Sequence, residues 1–153
     1  KLDVGKSSQF KSYLPLYSIR AACGAFNHDD TNEIEGWVNV KKCNITPTKD
    51  MFVVHAEGSS MEPLIHDGDL CIFSYTNAYE NGAIMLIESN NLFCQHVIKE
   101  FHCRPTLFQE YAEDNNVILH SLNPKFQDIV LSATDNPRIV GKLIKVIHAH
   151  EQF

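Results

Sequence analysis

Gly58-Ser59-Ser60-Met61-Glu62-Pro63-Leu64-Ile65-His66-Asp67-Gly68-Asp69 lies between two apolar runs, Met51-Phe52-Val53-Val54-His55-Ala56 and Leu70-Cys71-Ile72-Phe73. The runs read as strands. The segment between them reads as a Pro-containing helical turn closed by an Asp-Gly-Asp turn. A serine placed where a rigid strand gives way to a turn has a fixed side-chain direction. The neighbouring backbone N–H groups are free to face a substrate. A nucleophile beside an oxyanion site needs that arrangement.

Working outward, Leu14 to Ile19 reads as extended, with Pro15 favouring an edge, and Glu35 to Val40 alternates as a strand. Ala83 to Ile87 is a continuous apolar strand, Ser89-Asn90-Asn91 a hairpin turn, and Leu92 to Phe101 the returning strand. Residues 102–115 read as a loop or bulge. Val117 to Leu122, Gln127 to Leu131 and Ile139 to His148 follow as further strands. No run of helical period is long. About eight or nine short strands separated by turn signals predict a mostly β domain of folded, twisted antiparallel sheets. Residues 1–13 read as a flexible arm or linker end, and 14–153 as the domain.

The 153 residues are 44% hydrophobic, enough for a core, and the net charge is −6. Gripping nucleic acid needs a basic face, which this composition does not supply, so any contact with DNA is expected through a missing N-terminal domain or a partner. The chain begins with Lys1 and reads as a piece of something longer. Its five cysteines are irregularly spaced and several sit in apolar runs. That suggests reduced thiols and a cytoplasmic protein. No run approaches the ~20 apolar residues of a membrane helix. Cys94, His96, His102 and Cys103 cluster in sequence but lack metal-ligand spacing, so neither metal nor cofactor is expected.

Taken in order, Leu14-Pro15-Leu16-Tyr17, Ala22-Cys23-Gly24, Glu35-Gly36-Trp37-Val38, Asp50 to Val54, Gly58-x-Ser60-Met61-x-Pro63 with Asp67-Gly68-Asp69, Asn81-Gly82 and Leu122-Asn123-Pro124 resemble the LexA, UmuD and phage-repressor family of self-cleaving serine peptidases. The match runs from about Leu14 to the C-terminus. The resemblance implies a β-clip type fold shared with signal peptidases, and Ser60 as nucleophile. It implies an oxyanion site on the backbone of Ser60 and Ser59, and cleavage of the Cys23–Gly24 bond in the chain itself. The Ala22-Cys23-Gly24 segment is then expected to lie extended in a narrow cleft, which its small residues suit, and glycine allows close approach of the backbone to Ser60.

In that family the general base is a lysine about three residues past an aromatic. Counting from Phe93, that position holds His96. Lys99 is the rival. On a regular strand it faces away from His96 and lies ~10 Å further along. A histidine base makes chemical sense, because its ordinary pKa of ~6.5 leaves it mostly neutral at pH 7.5. A lysine must be pushed down about 3 units from ~10.4. The expectation is therefore a Ser60–His96 dyad, with Asp69, Asp128 or Asp135 orienting the imidazole. By resemblance, the whole protein is a homodimeric regulator of a DNA-damage (SOS) response, with the RecA–single-stranded DNA filament as co-protease. Two alternatives stay open: an inactive dimerisation or sensor module of a larger protein, and a protease acting in trans.

Overall fold

The structure, a computed structural model, describes residues 4–24, 34–90, 92, 96–104 and 116–151. Nine strands occur among them: β1 Tyr13–Tyr17, β2 Gly36–Asn39, β3 Met51–His55, β4 Leu70–Tyr75, β5 Ile84–Glu88, β6 His96–Arg104, β7 Asn116–His120, β8 Ile129–Leu131 and β9 Arg138–Ile147. One short helix, α1, spans Ile19–Gly24 between β1 and β2. The strands form one sheet in the order β2-β1-β3-β4-β9-β5-β6-β7-β8. The domain is mostly β, as its sequence predicts. All neighbours run antiparallel except β1 and β3, which pair in parallel through Leu16 and Tyr17.

The long last strand, β9, sits in the middle and joins the two halves of the sheet. Its register slips once against β4 and once against β5, and such irregularities bend and twist a strand. Beside it Phe52 and Phe73 stack at 5.9 Å and Tyr75 leans on Phe52 at 4.7 Å. Gly141 of β9 faces this stack. A Cβ there would meet the Ser74 carbonyl at 3.1 Å and both phenylalanines at 3.3 Å, so the strand can approach only without a side chain.

Among the described residues the core forms three apolar clusters. One, with Phe52, Val54, Met61, Ile65, Phe73 and Leu86, lies under the serine turn. A second gathers Met85, Ile87, Phe101 and Leu119, and a third lies around Leu14, Val53 and Ile72. Of the expected arm, residues 4–12 form turns in which Val4 is buried and the Phe10 ring meets the edge of Trp37 at 5.5 Å.

Two expectations are corrected here. The segment ending in Ala22-Cys23-Gly24 is not extended. It forms α1, started by Ser18, whose hydroxyl accepts the Ala21 N–H at 3.1 Å and whose carbonyl accepts the Ala22 N–H at 2.9 Å. The strand after the hairpin begins at His96, not Leu92, and continues through His102 and Cys103 to Arg104. The expected loop over 105–115 and the residues 93–95 lie outside the described residues. Among the described residues no helix is long and apolar enough to cross a membrane, and Cys23, Cys43, Cys71 and Cys103 are free thiols.

Candidate active site

The Ser60 turn is held in four ways. At its neck, the Gly68 N–H reaches the Ala56 carbonyl at 2.9 Å and the Ala56 N–H reaches the Asp69 carbonyl at 2.8 Å. Across it, Asp67 accepts the Gly58 N–H at 2.8 Å, with Gly58 at φ +82°, a conformation that favours glycine. From below, Met61 and Ile65 sink into the core, 5% and 2% exposed. From above, Asn123 clamps the turn: its N–H donates to the Ser60 carbonyl and its side-chain amide to the Ser59 carbonyl, both at 3.0 Å. That is the task of the Leu122-Asn123-Pro124 motif. The Ser59 and Ser60 N–H groups have no acceptor among the described hydrogen bonds. They remain available to a developing oxyanion.

The group that meets Ser60 is Lys99. Its Nζ lies 2.6 Å from Oγ of Ser60, although the residues are far apart in sequence. Lys99 is only 7% exposed and has no carboxylate partner among the described residues. Its amine sits below the ordinary lysine pKa because burial disfavours the ammonium. A half-buried hydroxyl against a desolvated amine can exchange a proton. The pair opens onto a groove of about 370 Å³ whose lining includes Ile19, Gly58, Met61, His96 and Ile98.

This corrects the expectation that Lys99 cannot reach the serine. In β6 the register pairs Lys99 with Met85 and Val97 with Ile87, whereas Ile98 faces Leu86 and His96 faces Glu88. Opposed residues of an antiparallel pair share a face. His96 and Lys99 alternate along the strand, both line the groove of Ser60, and it is the Lys99 amine that meets the hydroxyl. Phe93, from which the count starts, lies outside the described residues, and the described strand begins at His96. The signal that could have found Lys99 was present: a single lysine inside Val97-Ile98-Lys99-Glu100-Phe101, opposite apolar Ala83-Ile84-Met85.

His96 makes no described hydrogen bond to Ser60 or to any of the three expected carboxylates. Asp69 is buried and accepts the His66 N–H, the Ala149 N–H and the His148 ring, each at 2.8 Å. Burial works to raise its carboxyl, but those hydrogen bonds outweigh burial and hold it below the usual range. Asp128 pairs with His120 at 2.7 Å. Asp135 accepts the Ser132 N–H at 2.7 Å in a capping box. The carboxylate near His96 is Glu88, which bonds Arg138 through Oε2.

The Cys23–Gly24 bond sits at the end of α1 and is tethered. Arg138 Nη2 donates to the Cys23 carbonyl at 2.8 Å, and the Tyr75 hydroxyl donates to the Ala22 carbonyl at 2.9 Å. Cys23 is 2% exposed and does not line the groove of Ser60. Burial, with Glu88 adding to it and Arg138 opposing, pushes its thiol pKa up to about 12. The neutral thiol is no nucleophile. Among the described residues, two sets of side chains bring ligating atoms within 4.8 Å of one another, Cys23 with Glu88 and His96, and His66 with Asp69 and His148.

Comparison with known proteins matches residues 15–144 to the family model "Peptidase S24-like". The LexA repressor of Clostridium novyi (strain NT) is 31% identical over 107 residues, covering 69% of this chain and 46% of that protein. The LexA repressor of Clostridium acetobutylicum is 29% identical over 111 residues, covering 72% and 47%. The chain spans about half the length of the curated relatives it matches.

Proposed function

Because the chain belongs to the Peptidase S24-like family, we propose that it is a serine endopeptidase domain that cuts its own Cys23–Gly24 bond, with Ser60 as nucleophile and Lys99, in place of His96, as general base. The observation that carries the reading is the 2.6 Å contact between Ser60 Oγ and a buried lysine amine with no counter-charge among the described residues.

The neutral Lys99 amine takes the Ser60 proton as Oγ attacks the Cys23 carbonyl carbon. Negative charge develops on the Cys23 carbonyl oxygen and is received by the free N–H groups of the Ser60 turn. The C–N bond to Gly24 then breaks, and the Lys99 ammonium returns its proton to the departing amine. An ester between Cys23 and Ser60 remains. Water attacks it, Lys99 again accepting the proton, and Ser60 is restored. Desolvation of Lys99 supplies what the dyad needs, an amine neutral well below its ordinary pKa. Tethering the bond to the enzyme offsets the modest strength of a serine–lysine pair.

The structure then represents the uncut, resting arrangement. With its two carbonyls held by Tyr75 and Arg138, the segment must leave α1 and extend into the groove before Ser60 can attack. A trigger that favours the extended form would control cutting. In a LexA-type regulator the trigger would be the RecA–single-stranded DNA filament. The domain would dimerise and would carry a DNA-binding repressor module on its N-terminal side.

The test is to incubate the purified chain from pH 6 to 10 and weigh the products. Fragments 1–23 and 24–153 should appear, and should be absent from Ser60→Ala and Lys99→Met. A chain that stays whole at every pH, with activated filament present, would return the domain to a sensor or dimerisation role. Cutting that persists in Lys99→Met would remove the lysine from the chemistry.

A further inference from the structure

Beside the groove of the Ser60–Lys99 pair, which His96 also lines, three segments remote in sequence bring Cys23, Glu88 and His96 together. One ligating atom of each lies within 4.8 Å of the others. Glu88 and His96 are register partners on β5 and β6, Glu88 also bonds Arg138, and Cys23 is buried in the core, yet each keeps a ligating atom without a described partner. His96 has no described hydrogen-bond or ionic partner although it is half buried. The Cys23 Sγ makes no described polar contact. Both Arg138 contacts fall on Oε2 of Glu88, leaving Oε1 without a described partner. The rival group differs: both Asp69 oxygens are already engaged by His148 and backbone N–H groups.

We propose that Cys23, Glu88 and His96 form a zinc site that fastens the end of α1 to β5 and β6. The donor set, one thiolate, one imidazole and one carboxylate, suits zinc, with a fourth position left for water. Bond lengths of ~2.0–2.3 Å place tetrahedral ligands ~3.5 Å apart, so side-chain movements of about 1 Å close the site. The bound ion takes the thiol as thiolate and its proton goes to solvent. The partial exposure of Glu88 and His96 gives the ion a route in. Arg138 opposes the ion by charge but also holds Glu88 and the Cys23 carbonyl in place.

The consequence rests on the reading of Cys23–Gly24 as the cut bond. A ligand that binds only the docked form of a segment stabilises that form. Zinc would therefore hold the bond away from Ser60 and slow self-cutting.

Binding is measured first on the uncuttable Ser60→Ala chain, reduced and metal-free. Cobalt(II) should give a thiolate-to-metal charge-transfer band, and zinc should displace it at one ion per chain. Adding Cys23→Ser should abolish the band, and adding His96→Gln or Glu88→Gln should weaken zinc binding at least tenfold, with thermal melts verifying the fold. No band, or a band that survives Cys23→Ser, overturns the site. In the unsubstituted chain, zinc should slow cutting at least tenfold and a chelator should restore it. Binding without slowing overturns the latch. A chain that never cuts, with or without chelator, while Ser60→Ala binds zinc as described, overturns the peptidase reading and leaves the metal site standing.

Discussion

On one face of β6, Lys99 packs beside Met85, Val97 and Phe101 and ends against a hydroxyl. On the other, His96 sits beside Glu88 and the end of α1 with no proton acceptor of its own among the described residues. The two residues are one helical turn's worth of sequence apart, yet they serve different ends of the proposed reaction. The lysine meets the group that attacks, and the histidine stands beside the residue of the bond that waits. Titratable chemistry in a strand is decided by the pleat and by what crosses above it, and only then by which side chain has the more convenient ordinary pKa.

The sharpest way to break this comparison is to exchange the roles. Lys99→Met should lower the first-order cutting rate by about 10²–10⁴-fold, the usual worth of a positioned general base, whereas His96→Gln in metal-free buffer should leave a rate that mass spectrometry still follows. The reverse pattern would put the chemistry on the histidine face.

The pH profile is the second discriminator. Burial lowers the Lys99 pKa, and the base works only when neutral. The rate should therefore climb about tenfold per pH unit below that lowered value and level off above it, before the ordinary lysine value of ~10.4 is reached. A plateau already reached near pH 6–7 would point to an imidazole base.

The docked bond offers a smaller effect. Tyr75→Phe removes the hydroxyl that holds the Ala22 carbonyl, and Arg138→Gln weakens the hold on the Cys23 carbonyl. Each hydrogen bond contributes about 0.5–1.5 kcal/mol, so each variant should cut about 2–12-fold faster where docking limits the rate. Slower cutting in both would mean that these contacts guide the segment into the groove.

The smallest effect is on stability. A lysine whose folded pKa is depressed binds its proton more readily when unfolded, so folding is opposed below ~10.4 and the opposition fades as pH rises. Lys99→Met should raise the unfolding midpoint at pH 7, by about 2–4 °C per kcal/mol relieved. The gain should shrink towards pH 10. An unchanged midpoint would show that solvent reaches the amine.

Much of this architecture was legible in the chain. Alternation and turn residues located the strands because burying one face of a strand leaves a period of two in the sequence. The serine turn was legible because Gly58, Pro63 and Gly68 each answer a local backbone requirement. Asn123 was visible as part of a motif, but its clamp on Ser59 and Ser60 was not, since that contact closes only when β7 lies beside β6.

Local sequence determined that Ser60 stands in a turn between two strands and that His96 and Lys99 face opposite ways along β6, because both follow from backbone geometry over a few residues. Only the tertiary structure decided that Lys99 meets Ser60, that Ala22-Cys23 is docked by Tyr75 and Arg138, and that Cys23, Glu88 and His96 converge. Those outcomes depend on strand register and on the order β9-β5-β6-β7. Register and order are settled by burying apolar surface across the whole sheet, which no short stretch of the chain encodes alone.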